Sequence, residues 1–261
     1  MKTFSTEEEL IQIWNMTYNL SLRMLLNEED ARDATQSIFE IVTRKIGQFR
    51  HDSKLSTWVY RISHNYLVDE KRKQKHEPIT FELFEKDVRN FRKYENEFNL
   101  SPEEEKMYAE EVKIGCTKAL LQCLDRESRF IFILGTIFST PRKEAAEICG
   151  LTHGNYRAKL SRSKEKIRNF MSKNCGLLNP QAECKCRKRL LIASERGRIN
   201  LEKVLHRTES RRIKDYISEL NQMDELSNIY RDNPFEEDDR EEISRKIRQL
   251  EIVQEISQIP I

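Results

Sequence analysis

Apolar residues recur three and four positions apart along much of this 261-residue chain, which is the spacing of one face of an α-helix. The clearest case lies between residues 6 and 26, where the apolar positions include Leu10, Trp14, Tyr18, Leu22 and Leu25. Glycine occurs only seven times and proline six times, so long strands joined by tight turns are not expected. The pattern therefore predicts an all-α protein.

Helix start and stop signals divide the chain into two helical domains and an extension. The first group of amphipathic segments ends in a basic run that is closed by Pro78. The next group starts at Ser101, which can cap a helix that begins at Pro102 and carries Glu104. Between them, aromatic residues mixed with many glutamates indicate a flexible, partly ordered linker. The predicted boundaries are 1–73 for the first domain, 74–100 for the linker, 101–173 for the second domain and 174–261 for a helical C-terminal extension.

Charge is strongly separated within the extension, although the net charge of the chain is only +2. The block Lys185–Lys214 has eleven Lys or Arg against three Glu, whereas Asp215–Ile261 has thirteen Asp or Glu against five Lys or Arg. Blocks of opposite charge attract each other, and an acidic block can shield a basic DNA-binding surface. We therefore hypothesise that the extension is regulatory and that its acidic tail competes with DNA.

No segment has the character of a membrane span or a secretion signal. No apolar run approaches the roughly 20 residues that cross a bilayer. The first ten residues are acidic and polar, unlike a signal peptide. We therefore expect a cytoplasmic protein without membrane insertion, whose cysteines are reduced.

Residues 141–163 have the spacing of a helix-turn-helix. Pro141 opens a first helix, Gly150 supplies the turn and Thr152 can cap the second helix. A second helix of this kind fits the major groove of DNA, where Arg makes bidentate bonds to guanine. An ordinary helical hairpin with a basic surface is the alternative. The exposed side of the second helix would present His153, Arg157, Ala158, Lys159, Ser161 and Arg162.

The string from Asp30 to Lys73 resembles the second conserved region of bacterial sigma factors of the extracytoplasmic function (ECF) group. Residues 120–168 are similar to the fourth region of the same group, which contains its helix-turn-helix. Together the similar segments cover about 6–72 and 102–172. The matching positions of the first block are Asp30, Asp33, Gln36, Phe39, Gly47, Phe49, Arg50, Ser56, Thr57, Trp58, Tyr60, Arg61, Ile62 and Asn65.

The resemblance implies a transcription initiation factor rather than an enzyme, with core RNA polymerase and promoter DNA as partners. Asp33, Gln36 and an exposed Phe39 would dock on the polymerase. The helix-turn-helix would recognise the minus-thirty-five element, and an anti-sigma factor would be a further partner. The minus-ten element would be recognised and melted by Phe49, Arg50, Ser56, Arg61 and Asn65, with Asn65 and the loop before it holding a flipped base.

The six cysteines suggest a second kind of site. Cys175, Cys184 and Cys186 cluster in sequence and can hold zinc or another thiophilic metal, with His206 as a fourth ligand. Two alternatives stay open, namely inert reduced thiols that pack a turn and a redox switch. Cys116 and Cys123 lie seven residues apart on one helix face and are expected in the core.

Two other functions compete with the sigma-factor interpretation. A free-standing helix-turn-helix regulator would bind duplex DNA without polymerase, and a metal- or redox-sensing adaptor would act through its cysteines. Neither accounts for the 30–73 block. The phosphate-binding and hydrolase motifs of common enzymes do not occur in the chain, and no cofactor is expected apart from the metal considered above.

Overall fold

The computed structural model describes residues 6–68, 79–89, 101–196, 199 and 240–249. These residues are almost entirely helical, and within them the extended structure amounts to one isolated bridge between Cys175 and Cys184, which confirms the all-α prediction. Short 3-10 turns occupy Ile46–Gln48 and Cys186–Arg189, and a π-helical turn occupies Ile133–Ile137. The helices are α1 (Thr6–Leu25), α2 (Glu28–Lys45), α3 (Leu55–Val68), α4 (Phe81–Arg89), α5 (Pro102–Leu121), α6 (Arg126–Phe132), α7 (Arg142–Ile148), α8 (His153–Asn174), α9 (Leu190–Glu195) and α10 (Arg240–Gln249).

The first three helices pack around one apolar seam. Helix α2 starts after Asn27, whose side chain accepts a hydrogen bond from the backbone N–H of Asp30 and caps the helix. Phe39 of α2 packs on Trp14 of α1, with their ring centroids 4.7 Å apart. This seam decides which side of α2 faces solvent. The buried residues of α2 recur at helical spacing: Ala31, Ala34, Thr35, Ile38, Phe39 and Val42.

Helices α7 and α8 form the predicted helix-turn-helix. In the turn between them Gly150 has a φ of 63°, a left-handed conformation that glycine adopts without a steric penalty. Thr152 then caps α8 by accepting a hydrogen bond from the N–H of Asn155. Tyr156, on the inner side of α8, is fully buried, and its hydroxyl donates to the carbonyl oxygen of Ile131 at 3.4 Å. Local caps and one buried tyrosine therefore fix the orientation of α8.

The two groups of helices share one continuous apolar cluster. Arg129 of α6 lies at their junction, is only 5% exposed, and donates to the carbonyl oxygens of Met24, Leu121, Gln122 and Leu124. These carbonyls lie at the ends of α1 and α5, where a helix leaves its last carbonyls without intrahelical partners. Burial lowers the pKa of Arg129 to about 10, so the side chain is still charged at neutral pH. One buried cation therefore ties α1, α5 and α6 together.

The part of the predicted linker that the structure describes is an ordered helix. The rings of Phe81 and Phe84 in α4 lie 5.8 Å and 5.4 Å from the ring of Phe170 in α8. Lys173 of α8 also pairs with Glu85 at 3.0 Å. The linker is thus docked on the helix-turn-helix unit over residues 81–89.

The first part of the extension is integrated with the second group of helices. Arg189 is 1% exposed, donates to the carbonyl oxygens of Asp87 and Val88, and pairs with the Asp87 carboxylate at 3.0 Å. A small apolar cluster joins Leu190 of α9 to Val112 of α5. Residues 175–196 therefore do not form an independent element.

Helix α10, the described part of the acidic tail, packs on α1. Its Ile243 and Ile247 are fully buried in the main apolar cluster. The tail was predicted to compete for the basic DNA-binding surface, whereas α10 lies on the first group of helices instead. Across the described residues, no helix is long and apolar enough to cross a membrane.

The Arg129 contacts predict a large loss of stability when the guanidinium is removed. Arg129→Met keeps most of the side-chain volume but removes the guanidinium donor from the carbonyls of Gln122 and Leu124. The carbonyls of Met24 and Leu121 keep other donors, the Gln122 amide and the Leu124 N–H. Each orphaned group costs about 1–3 kcal/mol. We expect the free energy of unfolding in urea to fall by at least about 2 kcal/mol. The exposed Arg142 gives the control, because Arg142→Met should change it by less than about 0.5 kcal/mol. Equal stability of the two variants would contradict this role.

Candidate nucleic-acid and polymerase interfaces

One side of α8 presents most of the predicted duplex-binding residues to solvent. Lys159 is the exception, because it is half-buried and its Nζ lies 2.5 Å from the carboxylate of Glu127 in α6. The opposite side of α8 is buried against the rest of the domain, so the exposed side is the one available to DNA. The exposed residues are His153, Arg157, Ala158, Ser161 and Arg162.

The loop before α3 carries an aromatic cluster beside basic side chains. The ring of Phe49 lies 4.5 Å from that of His51 and 5.4 Å from that of Trp58. Aromatic faces beside cationic groups are what the capture of unstacked bases requires. The residues predicted for the minus-ten element are all exposed or half-buried here: Phe49, Arg50, Ser56, Arg61 and Asn65.

Two polar side chains of α3 are held by α7. The guanidinium of Arg61 pairs with the Glu147 carboxylate at 2.7 Å, and the Thr57 hydroxyl donates to the Glu144 carboxylate at 2.6 Å. The first helix of the helix-turn-helix therefore lies against the helix predicted to contact the minus-ten element. In this conformation Arg61 is engaged by protein rather than available to a phosphate.

His64 lies at the same junction and was not identified from the sequence. Its ring meets that of Phe130 edge-on, with centroids 4.9 Å apart, and its Nδ1 lies 3.3 Å from Asn65 Oδ1. Burial lowers the pKa of His64, so the ring is neutral at neutral pH. In the sequence, His64 and His51 are each adjacent to a residue predicted to bind the minus-ten element, Asn65 and Arg50 respectively. Adjacency in sequence alone does not show whether a histidine takes part in the interface; the fold is needed for that.

The predicted polymerase-docking residues are only partly brought together on the surface. Asp33 and Gln36 are exposed one turn apart on α2, and Gln36 donates to the Glu40 side chain at 3.3 Å. The prediction of an exposed Phe39 is wrong, because that ring is fully buried against Trp14. Phe39 lies four residues after the buried Thr35 and so belongs to the core stripe of α2.

A family model identifies the first group of helices. The model described as sigma-70 region 2 matches residues 14–77, which include most of α1 and all of α2 and α3. Residues 14–77 thus match sigma-70 region 2, and they are called region 2 below. The α2 surface with Asp33 and the aromatic loop before α3 therefore both belong to region 2.

Curated relatives point to the ECF sigma factors. The chain is 25% identical over 170 residues to the ECF RNA polymerase sigma factor SigE of Mycolicibacterium smegmatis, covering 65% of this chain and 63% of that one. It is 23% identical over 160 residues to a probable RNA polymerase sigma factor of Haemophilus influenzae, covering 58% of this chain and 82% of that one. Over 58 residues it is 41% identical to the ECF RNA polymerase sigma factor SigW of Bacillus subtilis, covering 22% and 31%. The chain is thus similar over part of its length to ECF sigma factors, and it spans slightly under two thirds of the length of SigE.

Among solved structures, the chain is similar to the sigma factor RpoE in complex with the anti-sigma factor NepR from Bartonella quintana. The TM-score is 0.44 and the sequence identity 17%. The similar part covers 65% of this chain and 98% of that one.

Four cysteines converge where the extension meets α5. Cys175 and Cys184 are paired by an isolated β-bridge between their backbones, and both thiols are free. Cys186 begins the 3-10 turn that packs on α5 beside Cys116. Burial raises the pKa of Cys175, raises that of Cys184 to about 12, and raises that of Cys186 further. Cys116 and Cys123 were expected in the core, but both are only half-buried. Cys116 instead lies against the extension, which sequence spacing could not reveal.

The metal hypothesis for Cys175, Cys184 and Cys186 stays a prediction. Within the described part of the chain, no three His, Cys, Asp or Glu side chains are arranged to hold a metal ion. His206, the proposed fourth ligand, lies outside the described residues. Elemental analysis of the purified chain tests the hypothesis directly.

Burial of these thiols predicts slow and unusually pH-dependent modification. The reactive form is the thiolate, and Cys184 titrates at about 12 in the folded chain rather than at its ordinary 9.0. In the native protein, the rate at which a small disulfide reagent modifies Cys184 should therefore keep rising through pH 9–11. In urea the rate should level off near pH 10, about one unit above the ordinary pKa of the thiol. Peptide mapping by mass spectrometry follows each cysteine, and a native plateau near pH 10 would contradict the assignment.

Proposed function

We propose that this chain is a transcription initiation factor, not an enzyme, that binds core RNA polymerase and directs it to promoters. In this proposal region 2 recognises and helps to melt the minus-ten element, while α8 binds the minus-thirty-five element. The observation that carries the proposal is the match of the region 2 family model to residues 14–77. The same residues include the ring cluster of Phe49, His51 and Trp58 and the exposed side chains of Arg50 and Asn65.

The chemistry of the aromatic loop supports base capture by region 2. Extruded bases are bound by stacking on aromatic faces and by hydrogen bonds to their edges. Phe49 and Trp58 supply faces, and the exposed amide of Asn65 supplies both donors and an acceptor. Arg50 supplies a nearby cation for the backbone. These side chains fit a single-stranded ligand better than a duplex groove.

The shape and charge of α8 support duplex binding. Its exposed side carries Arg157 and Arg162 and no acidic residue between them, and its first turn is uncovered. An α-helix of this kind fits the major groove, and a bidentate Arg–guanine contact contributes about 1–3 kcal/mol of discrimination. We assign Arg157, nearer the N-terminus of α8, to the bases.

Binding both promoter elements requires α7 to leave α3. The Arg61–Glu147 contact occupies a side chain predicted to bind the minus-ten element, and the Thr57–Glu144 contact holds the same two helices together. Glu144 and Glu147 therefore occupy the place of DNA phosphates. We infer that promoter binding replaces these carboxylate contacts with phosphate contacts. An anti-sigma factor remains a predicted further partner.

Run-off transcription tests the proposal directly. Purified core polymerase is incubated with genomic promoter fragments, with and without this chain, and the transcripts are mapped. Transcripts that appear only when the chain is present support the function. Promoter binding by the chain alone without any polymerase-dependent transcript would favour a free-standing regulator, and the absence of both would overturn the proposal.

The exposed face of α2 predicts a specific defect in polymerase binding. Asp33→Arg reverses a charge at the proposed dock, so we expect affinity for core polymerase to fall at least about tenfold. The exposed carboxylate contributes little to the fold, so unfolding should change by less than about 0.5 kcal/mol. Glu183→Arg, which reverses an exposed carboxylate outside α2, serves as the control and should bind normally. Normal co-purification of Asp33→Arg with core polymerase would contradict the assignment.

The α3–α7 contact predicts that its acidic residues restrain DNA binding. Replacing both Glu144 and Glu147 with Ala releases Thr57 and Arg61, so affinity for a single-stranded minus-ten oligonucleotide should rise several-fold. Removing any negative charge favours DNA, so the control removes two exposed carboxylates elsewhere, Glu165 and Glu183. Fluorescence anisotropy compares the two double variants. Equal gains would mean that charge alone, and not the contact, is responsible.

A further inference from the structure

Helix α10 contributes two fully buried side chains to region 2. Ile243 and Ile247, one turn apart, are 0% exposed and belong to the same apolar cluster as Trp14 and Phe39. Between them Lys246 lies over the Trp14 ring, with its Nζ 5.9 Å from the centroid. The contact of α10 is therefore with the side of α1 that supports Phe39.

Helix α10 also extends toward α2. Hydrogen bonding and charge from Lys246 are the main causes that lower the pKa of Glu242, and the charges of Arg245 and then Arg32 add to the effect. Arg32 lies at the edge of α2, 5.8 Å from the centroid of the Tyr18 ring on α1, and directly precedes Asp33. Glu242 of α10 therefore lies near enough to Arg32 to interact with it, and Arg32 directly precedes Asp33 of the proposed dock.

We propose that α10 is a lid that the chain places on its own region 2 and that core polymerase must displace. This inference rests on the proposed function, because it assigns one surface to two occupants. A helix with its side chains is about 10 Å across. A partner that engages Asp33 from the α1 side of α2 therefore overlaps the space that α10 fills.

The length of α10 suits a reversible contact. Helices shorter than about 12–15 residues are marginal in water without tertiary packing, and α10 has ten residues. Its helical form thus depends on the two isoleucines that anchor it, while the tether to the rest of the chain keeps its effective concentration high. If the lid is closed most of the time, the apparent affinity for polymerase falls by the fraction of open molecules.

The test measures binding of the full-length chain to core polymerase after the lid is released. Ile243→Glu combined with Ile247→Glu places charges at both anchor positions, and we expect at least about tenfold tighter binding. Arg245→Ala changes an exposed residue of the same helix and should bind like the unaltered chain. Unchanged or weaker binding by a folded double variant would overturn the lid while leaving the proposed function intact. If neither the unaltered chain nor any variant binds core polymerase, the proposed function itself fails.

Hydrogen exchange of the unaltered chain gives an independent readout, which decides the matter if the double variant unfolds. Backbone amides of 243–247 should be protected in the free chain and should exchange faster when core polymerase is added. Protection that persists or increases in the complex would overturn the lid.

Discussion

The fold depends on buried arginines that satisfy helix ends. A bundle of short helices buries many carbonyls that have no intrahelical partner, and each one left unpaired is costly. Arg129 satisfies carbonyls at the ends of α1 and α5 from its position in α6. Arg189 does the same for α4, through the carbonyls of Asp87 and Val88. Both side chains join segments about 100 residues apart in sequence, so they determine how the helices assemble.

This assembly places the two proposed DNA-binding surfaces against each other. Because Arg129 holds α6 to the end of α1, helix α7 lies beside α3, and Glu147 meets Arg61. Individual exposed pairs of this kind contribute about 0–1 kcal/mol. The contact is therefore weak enough to be exchanged for DNA, whereas the buried arginines are not. The structure separates a stable framework from replaceable surface contacts.

The extension takes part in the framework at one end and in the replaceable contacts at the other. Residues 175–196 are fixed by Arg189 and by the apolar contact of Leu190 with α5. Helix α10 instead rests on region 2 through two isoleucines and a cation over Trp14. Its position beside Arg32 links the acidic tail to the proposed polymerase dock rather than to the basic face of α8.

The sequence by itself determined the all-α character, the helix-turn-helix with its turn glycine and its cap, and most of the solvent-facing side of α8. The predicted segment 6–26 matches α1 closely, and Gly150 and Thr152 act as expected, because periodicity and caps depend on neighbouring residues. Only the tertiary structure decided that Phe39 is buried, that Cys116 joins the other cysteines, and that Glu147 holds Arg61. These facts depend on contacts between distant segments, and no local pattern encodes which distant face a helix will meet.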